Sequence, residues 1–289
     1  MKAVQDMIHT VASDTKTYTL YLIRHGEASH NIKEKEAIQK AKQEAMEEGW
    51  AQDSSEVQRL VEEARQQVLD DPHLFDAPLS DGGKEDARKC HERLQTLAKK
   101  YAPPTQVLVS PLQRTLQTAN LAFPDHANIH VREKLRERMT GYACDSRHRS
   151  ETLRKIKSFQ RFSMFRLQMG SVVRRSQPLV DDDEDSAEEP AGIFEMDQQP
   201  RLPTRSKPIR PTVEQRAELR ERTKLLFNML QDFDDTSIAV VSHKGYLREL
   251  ERGQFGIKES PEYGNGEVRV YEVKTSKRNH KLLKIERLD

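Results

Sequence analysis

Arg24 and His25 stand side by side where an apolar run from Tyr18 to Ile23 breaks off into Arg-His-Gly-Glu. The run has the length and composition of a buried central strand, so it delivers a guanidinium and an imidazole to the strand's carboxyl end. That edge is where α/β sheets bind ligands, and core packing alone gives no reason to place Arg and His together there. Gly26 reads as the residue that lets the backbone turn sharply behind the imidazole. A second histidine, His243, closes another apolar strand, Ser237 to Val241, within Val240-Val241-Ser242-His243-Lys244-Gly245. A third strand, Gln106 to Val109, leads into a short helix from Leu112 to Ala122 that carries Arg114 in its first turn. The planar fork of that arginine and the free N–H groups of the helix can face one anion, a pairing that suits a phosphate. Each residue also has a plainer reading. His25 alone is a loop histidine, and Glu137, in the charged run Leu135-Arg136-Glu137-Arg138, is a surface carboxylate.

Taken together and in order, four stretches change that balance: Arg24-His25-Gly26-Glu27, Ser110-Pro111-Leu112-Gln113-Arg114-Thr115-Leu116-Gln117-Thr118-Ala119, Leu135-Arg136-Glu137 ahead of Gly141, and Ser242-His243-Lys244-Gly245. They resemble the histidine phosphatase superfamily, branch 1, the phosphoglycerate mutase-like family that includes cofactor-dependent phosphoglycerate mutases and many phosphatases. The continuation Cys144-Asp145-x-Arg147 is similar to a plant-type subgroup of mutase-like proteins. The resemblance spans Thr17 to Ile32, Asp76 to Arg149 and Val213 to Val273. It implies that His25 attacks phosphorus to form a phosphohistidine, that Arg24, Arg114 and His243 hold the phosphoryl oxygens, and that Glu137 protonates the leaving alcohol and then activates water. It also places Asn31 near the bound phosphate. Ala28 stands where the family often has a hydroxyl residue, so one phosphate hydrogen bond is expected to be missing.

The physical demands of the reaction match that division of roles. A phosphate monoester needs cations around its oxygens, an in-line nucleophile and an acid for the leaving oxygen. Neighbouring cations disfavour a further positive charge, so Arg24 and Arg114 are expected to lower the pKa of His25, and a phosphate dianion to raise that of Glu137. The motifs that mutases show after the first histidine are absent, which favours phosphomonoester hydrolysis over phosphoglycerate isomerisation. A mutase-type phosphotransferase remains the alternative, as does a scaffold protein of the same fold with a disabled site. The expected substrate is a phosphorylated small molecule or a phosphoprotein, with no cofactor and no metal.

The elements that must position these residues alternate as strand and helix, which predicts one α/β domain over 1–289 with a mainly parallel sheet between two helical layers, a three-layer α/β/α sandwich. The chain has 289 residues, of which 33% are charged, and a mean hydropathy of -0.85, more polar than one compact core needs. The excess falls in two insertions. Residues 31–75 are rich in Glu, Lys, Gln and Ala and predict two solvent-facing helices, Asn31 to Gly49 and Ser54 to Leu69, rooted beside His25. Residues 154–211 turn from basic to acidic to proline-punctuated and are expected to be mostly disordered, as a plain linker or as a docking or inhibitory segment. Phe159, Phe162, Phe165 and Leu167 within them could form a short amphipathic helix. Further helices are predicted at Lys84 to Lys100 and Val213 to Asp232, and Lys274 to Asp289 reads as a polar strand or tail.

Composition excludes several other classes. The 48 Lys and Arg against 47 Asp and Glu give a net charge of +1, without the basic excess of nucleic-acid or membrane-surface proteins. No stretch approaches the roughly 20 apolar residues of a membrane span, and the first residues lack a secretory pattern, so a cytoplasmic location is expected. Cys90 and Cys144 read as structural thiols.

Overall fold

The computed structural model describes residues 14–147, 159, 162 and 213–289. The greater part of the predicted 154–211 insertion, including Phe165 and Leu167, lies outside the described residues.

Strand β1 (Thr15–Arg24) forms because its β-branched and aromatic residues alternate between two apolar faces. Tyr18, Leu20 and Leu22 pack into one core, and Tyr21 and Ile23 into the other. The strand is hydrogen-bonded on both sides, to β4 (Ser237–Ser242) in parallel and to β5 (Val268–Ser276) antiparallel. With β2 (Gln106–Val109), β3 (Ile129–Val131) and β6 (Leu282–Arg287) the sheet order is β3-β2-β4-β1-β5-β6. Pairing is parallel from β3 through β1 and antiparallel from β1 through β6, so the sheet is mixed, with an antiparallel extension on a parallel body. The chain end predicted as a polar strand or tail supplies β6 and part of β5.

Helices cover both faces, as both-sided burial of the parallel strands requires. Helix α3 (Asp81–Leu97) and helix α4 (Gln113–Ala122) cover one face through Cys90, Leu94, Leu97, Leu116 and Ala119. Phe159 and Phe162 join this core, stacked at 5.6 Å between ring centroids. Helices α5 (Arg216–Thr223), α6 (Leu225–Leu230) and α7 (Lys244–Glu249) cover the other face. The single helix predicted from Val213 to Asp232 is therefore two. Its break is at Lys224, just after Thr223 donates its hydroxyl to the Arg220 carbonyl at 2.7 Å and offers the backbone a competing partner.

Helices α1 (Ser29–Glu47) and α2 (Ser55–Leu69) run against each other, joined by Arg65 and Glu34 at 2.6 Å, and bury few side chains. Leu69, at the end of α2, packs with Ala77, Cys144 and Tyr142 and ties the pair to the loop that follows β3. Among the described residues no helix is long and apolar enough to cross a membrane.

Candidate active site

Sheet register brings the singled-out residues to one level. Arg24 pairs with Ser242 and Val109 with Val241, so Arg24-His25, Ser110 and His243 leave the sheet along the same carboxyl edge. The His25 and His243 rings lie 5.1 Å apart between centroids, and both residues are buried. Arg114 enters from the first turn of α4 and is 1% exposed.

The conformation of the first loop comes from close approach rather than from an unusual backbone angle. Gly26 is not among the residues with positive φ. A Cβ on it would lie 2.2 Å from the Gly83 carbonyl oxygen, and a Cβ on Gly83 would lie 1.8 Å from that of Glu27. Two glycines thus let the turn after β1 press against the start of α3, and the expected turn-forming role of Gly26 is corrected to one of clearance. Thr118 on α4 holds the same turn, accepting from the Gly26 N–H at 3.1 Å.

His25 Nδ1 faces the Gly26 carbonyl oxygen at 2.6 Å. A carbonyl only accepts, so Nδ1 carries the proton and Nε2 keeps a free lone pair. Burial, then Arg114 and Arg24, push the imidazole pKa well below its ordinary value, so the ring stays neutral. His243 is depressed in the same way, by burial first and then by Arg114 and His25. Its Nε2 lies 2.7 Å from Ser110 Oγ, while its Nδ1 is buried with no partner among the described residues.

The two guanidinium groups are anchored on one side and open on the other. Arg24 Nη1 donates to the Tyr263 carbonyl at 2.6 Å. Arg114 Nη1 donates to the Cys144 carbonyl at 2.7 Å, and its Nη2 to Asp145 Oδ1 at 3.0 Å. The Nε atoms of both are buried and unpartnered among the described residues. Behind Tyr263 lies a buried network. Arg269, with its guanidinium carbon 3.6 Å from the Tyr263 ring centroid, pairs with Glu251 at 2.8 Å, and Glu251 also accepts from the hydroxyls of Tyr263, Tyr271 and Ser260. This network fixes the carbonyl on which Arg24 rests.

Glu137 reaches the site from the loop after β3. Its Oε2 accepts from the Gly245 N–H at 3.1 Å and its Oε1 from the Arg138 N–H at 2.8 Å, which places the carboxyl beside the turn that carries His243. A Cβ at 245 would lie 2.2 Å from Glu137 Oε1, so the carboxyl keeps this position only with glycine there. The loop is held from α5, where Arg222 donates to the carbonyls of Lys134, Arg136 and Glu137 and pairs with Glu214 at 2.7 Å. Desolvation, reinforced by Asp145, raises the Glu137 pKa before any ligand is bound, so the expected dependence on a phosphate dianion is not required.

Asn31 lies at the start of α1 with both ends of its amide engaged. Oδ1 accepts from the Ala28 N–H at 3.0 Å, and Nδ2 lies 3.0 Å from His30 Nε2. It also lines a polar cleft of about 530 Å³ with Arg24, Glu27, Lys35, Asp86 and Lys244. Arg24, His25, Arg114, Glu137 and His243 thus share one sheet edge, with Asn31 at the mouth. Sequence reasoning missed Ser110, Thr118, His30, Asp145 and Tyr263 as members of the site. The first two were visible inside a recognised motif, whereas His30 and Tyr263 carried no pattern of their own.

Comparison with known proteins gives one family match. The model of the histidine phosphatase superfamily, branch 1, matches residues 72–193, a span that holds Arg114 and Glu137. No curated protein sequence matches the chain. Among solved structures it is similar to a mycobacterial glucosyl-3-phosphoglycerate phosphatase, with 13% identity, 94% of this chain and 97% of that one covered, and a TM-score of 0.47. It is also similar to a mutant phosphoserine phosphatase of Entamoeba histolytica, with 15% identity, 91% and 98% covered, and a TM-score of 0.44.

Proposed function

We propose that this chain, whose residues 72–193 match the model of the histidine phosphatase superfamily, branch 1, hydrolyses a phosphate monoester through a phosphohistidine formed on His25. The observation that carries this reading is the state of His25: Nδ1–H is tied to the Gly26 carbonyl, and Nε2 is left free in a buried ring beside two guanidinium groups. A neutral imidazole with one fixed lone pair is a nucleophile, and the cations that keep it neutral also attract its substrate.

The Nε2 lone pair forms the N–P bond as the ester P–O bond breaks, and the protonated Glu137 carboxyl gives its proton to the leaving alkoxide. Arg24 and Arg114 offer their unpartnered N–H groups to the phosphoryl oxygens, where charge builds up. In the second half the Glu137 carboxylate takes a proton from water, the water oxygen bonds to phosphorus, and the N–P bond breaks to release inorganic phosphate and the imidazole. A carboxyl with a raised pKa suits both halves, as acid first and base second.

The test is release of free phosphate from a panel of monoesters, run beside isomerisation of phosphoglycerate. Release with acid-labile labelling of the chain, both lost in His25→Ala, is the expected result. Isomerisation without release would replace hydrolysis by phosphotransfer, and labelling retained in His25→Ala would overturn the assignment of the nucleophile.

A further inference from the structure

A third histidine, His30, is in charge interaction with His25. His30 is 7% exposed at the start of α1, five residues after the nucleophile. Its protonation is fixed by a short relay. The Ala28 N–H can only donate, so the Asn31 amide must present Oδ1 to it, as it does at 3.0 Å. The other end of the same amide, the NH2 group, therefore faces His30 Nε2 at 3.0 Å and donates. Nε2 must accept, so the proton of the neutral ring sits on Nδ1. The imidazolium form would set an N–H against an N–H and is disfavoured on geometry alone. Burial, then Arg114 and Arg24, push the same way, taking the pKa down to about 2. The ring is thus neither an acid nor a base at working pH, but a neutral donor of fixed direction. Its Nδ1 is buried without a partner among the described residues, a costly state for an N–H unless a ligand meets it. Two other unpartnered buried nitrogens, the Nε atoms of Arg24 and Arg114, belong to groups in charge interaction with it, and both groups hold the phosphoryl oxygens in the reading above.

We propose that His30 is a further phosphoryl-binding residue, whose Nδ1–H, set as a donor by the Ala28–Asn31–His30 relay, hydrogen-bonds a non-bridging oxygen of the phosphate group. This rests on the phosphatase reading above. It also assigns Asn31 a positioning role: one amide that caps α1 and sets the tautomer of its neighbour. The missing hydroxyl at Ala28 is then offset by a donor from His30.

Two measurements on the full chain test it. Long-range nitrogen–proton NMR spectra of the histidine rings report which nitrogen of His30 is protonated. The expected pattern is the Nδ1–H tautomer from pH 5 to 8, with that signal moved by saturating inorganic phosphate. A proton on Nε2, or a signal unmoved by phosphate that binds elsewhere in the site, overturns the proposal. The second measurement compares variants by kcat/KM on an aryl phosphate and by competitive inhibition with inorganic phosphate. His30→Phe and His30→Gln lack a donor at the Nδ1 position and should lose on the order of 10- to 100-fold in both, the worth of a hydrogen bond to a charged group. His30→Asn puts an amide N–H near that position and should recover most of the loss. Phosphate binding by a folded His30→Phe as tight as by the unaltered protein overturns the inference alone. An unaltered protein that neither binds phosphate nor releases it overturns the phosphatase reading, and the inference with it.

Discussion

At the scale of single residues, the site separates a group that must be neutral from one that must be protonated. His25 is held neutral by burial and two guanidinium groups, and Glu137 is pushed toward its acid form by burial and Asp145. These shifts move the two groups in opposite chemical directions, and each role can be tested apart from the other. Glu137→Gln removes the proton donor but keeps the shape, so turnover of alkyl phosphates should fall by about 10²-fold or more, while aryl phosphates, whose leaving groups need little protonation, lose far less. Equal losses on both classes would make Glu137 structural. Gly245→Ala should reproduce that pattern from the other side. The added Cβ meets a carboxylate oxygen rather than backbone, so the chain should fold and Glu137 should swing away from the site. A Gly245→Ala protein with unchanged selectivity between alkyl and aryl esters would show that this contact does not hold the acid.

At the scale of elements, the site depends on how closely secondary structures approach one another. The turn after β1 abuts the start of α3 through Gly26 and Gly83, and here the facing atoms are backbone, which cannot rotate aside. Gly83→Ala, although a small change on a helix, should cost about 3 kcal/mol or more in urea unfolding and weaken phosphate inhibition as the His25 loop shifts. A stability loss under about 0.5 kcal/mol would mean that the loop relaxes freely. These approaches mark the limit of what the sequence discloses. His25, His243 and Arg114 were legible because a strand end and a first helical turn are local, and a local pattern fixes which atoms they present. Glu137 was legible only through resemblance, because its position depends on Arg222 and Glu214, 85 and 77 residues further along the chain. The break at Lys224 was hidden in a continuous helical period, and the purpose of Gly26 appears only when its neighbour in space, Gly83, is known. His30 carried no pattern because its meaning lies in a tautomer set by an adjacent amide.

At the scale of the whole molecule, burying three neutral histidines ties stability to pH. His25, His30 and His243 all have folded-state values below the ordinary one, chiefly through burial and Arg114, whereas in the unfolded chain each returns to about 6.5. Below pH 6.5 the unfolded chain therefore binds more protons than the folded one, so the stability these groups contribute is fully present above that pH and is lost as pH falls toward their folded values. Each contributes up to about 1.4 kcal/mol per pH unit, and the three together about 4. Glu137 acts with the opposite sign. Its raised carboxyl contributes stability that is present below its unfolded value, near 4.5, and is lost as pH rises through the folded value, but it is one group against three. A domain of ordinary stability, about 5–15 kcal/mol, should therefore be nearly indifferent to pH between 8 and 7 and weaken steeply between 6 and 4.5. Urea midpoints across this range measure the slope, and His30→Phe should flatten it by roughly a third, since one of the three proton-linked groups is gone. A midpoint that stays level from pH 7 to 5 would mean that the imidazoles are not held neutral by the fold, and His25 would then lack the free lone pair that attack on phosphorus requires.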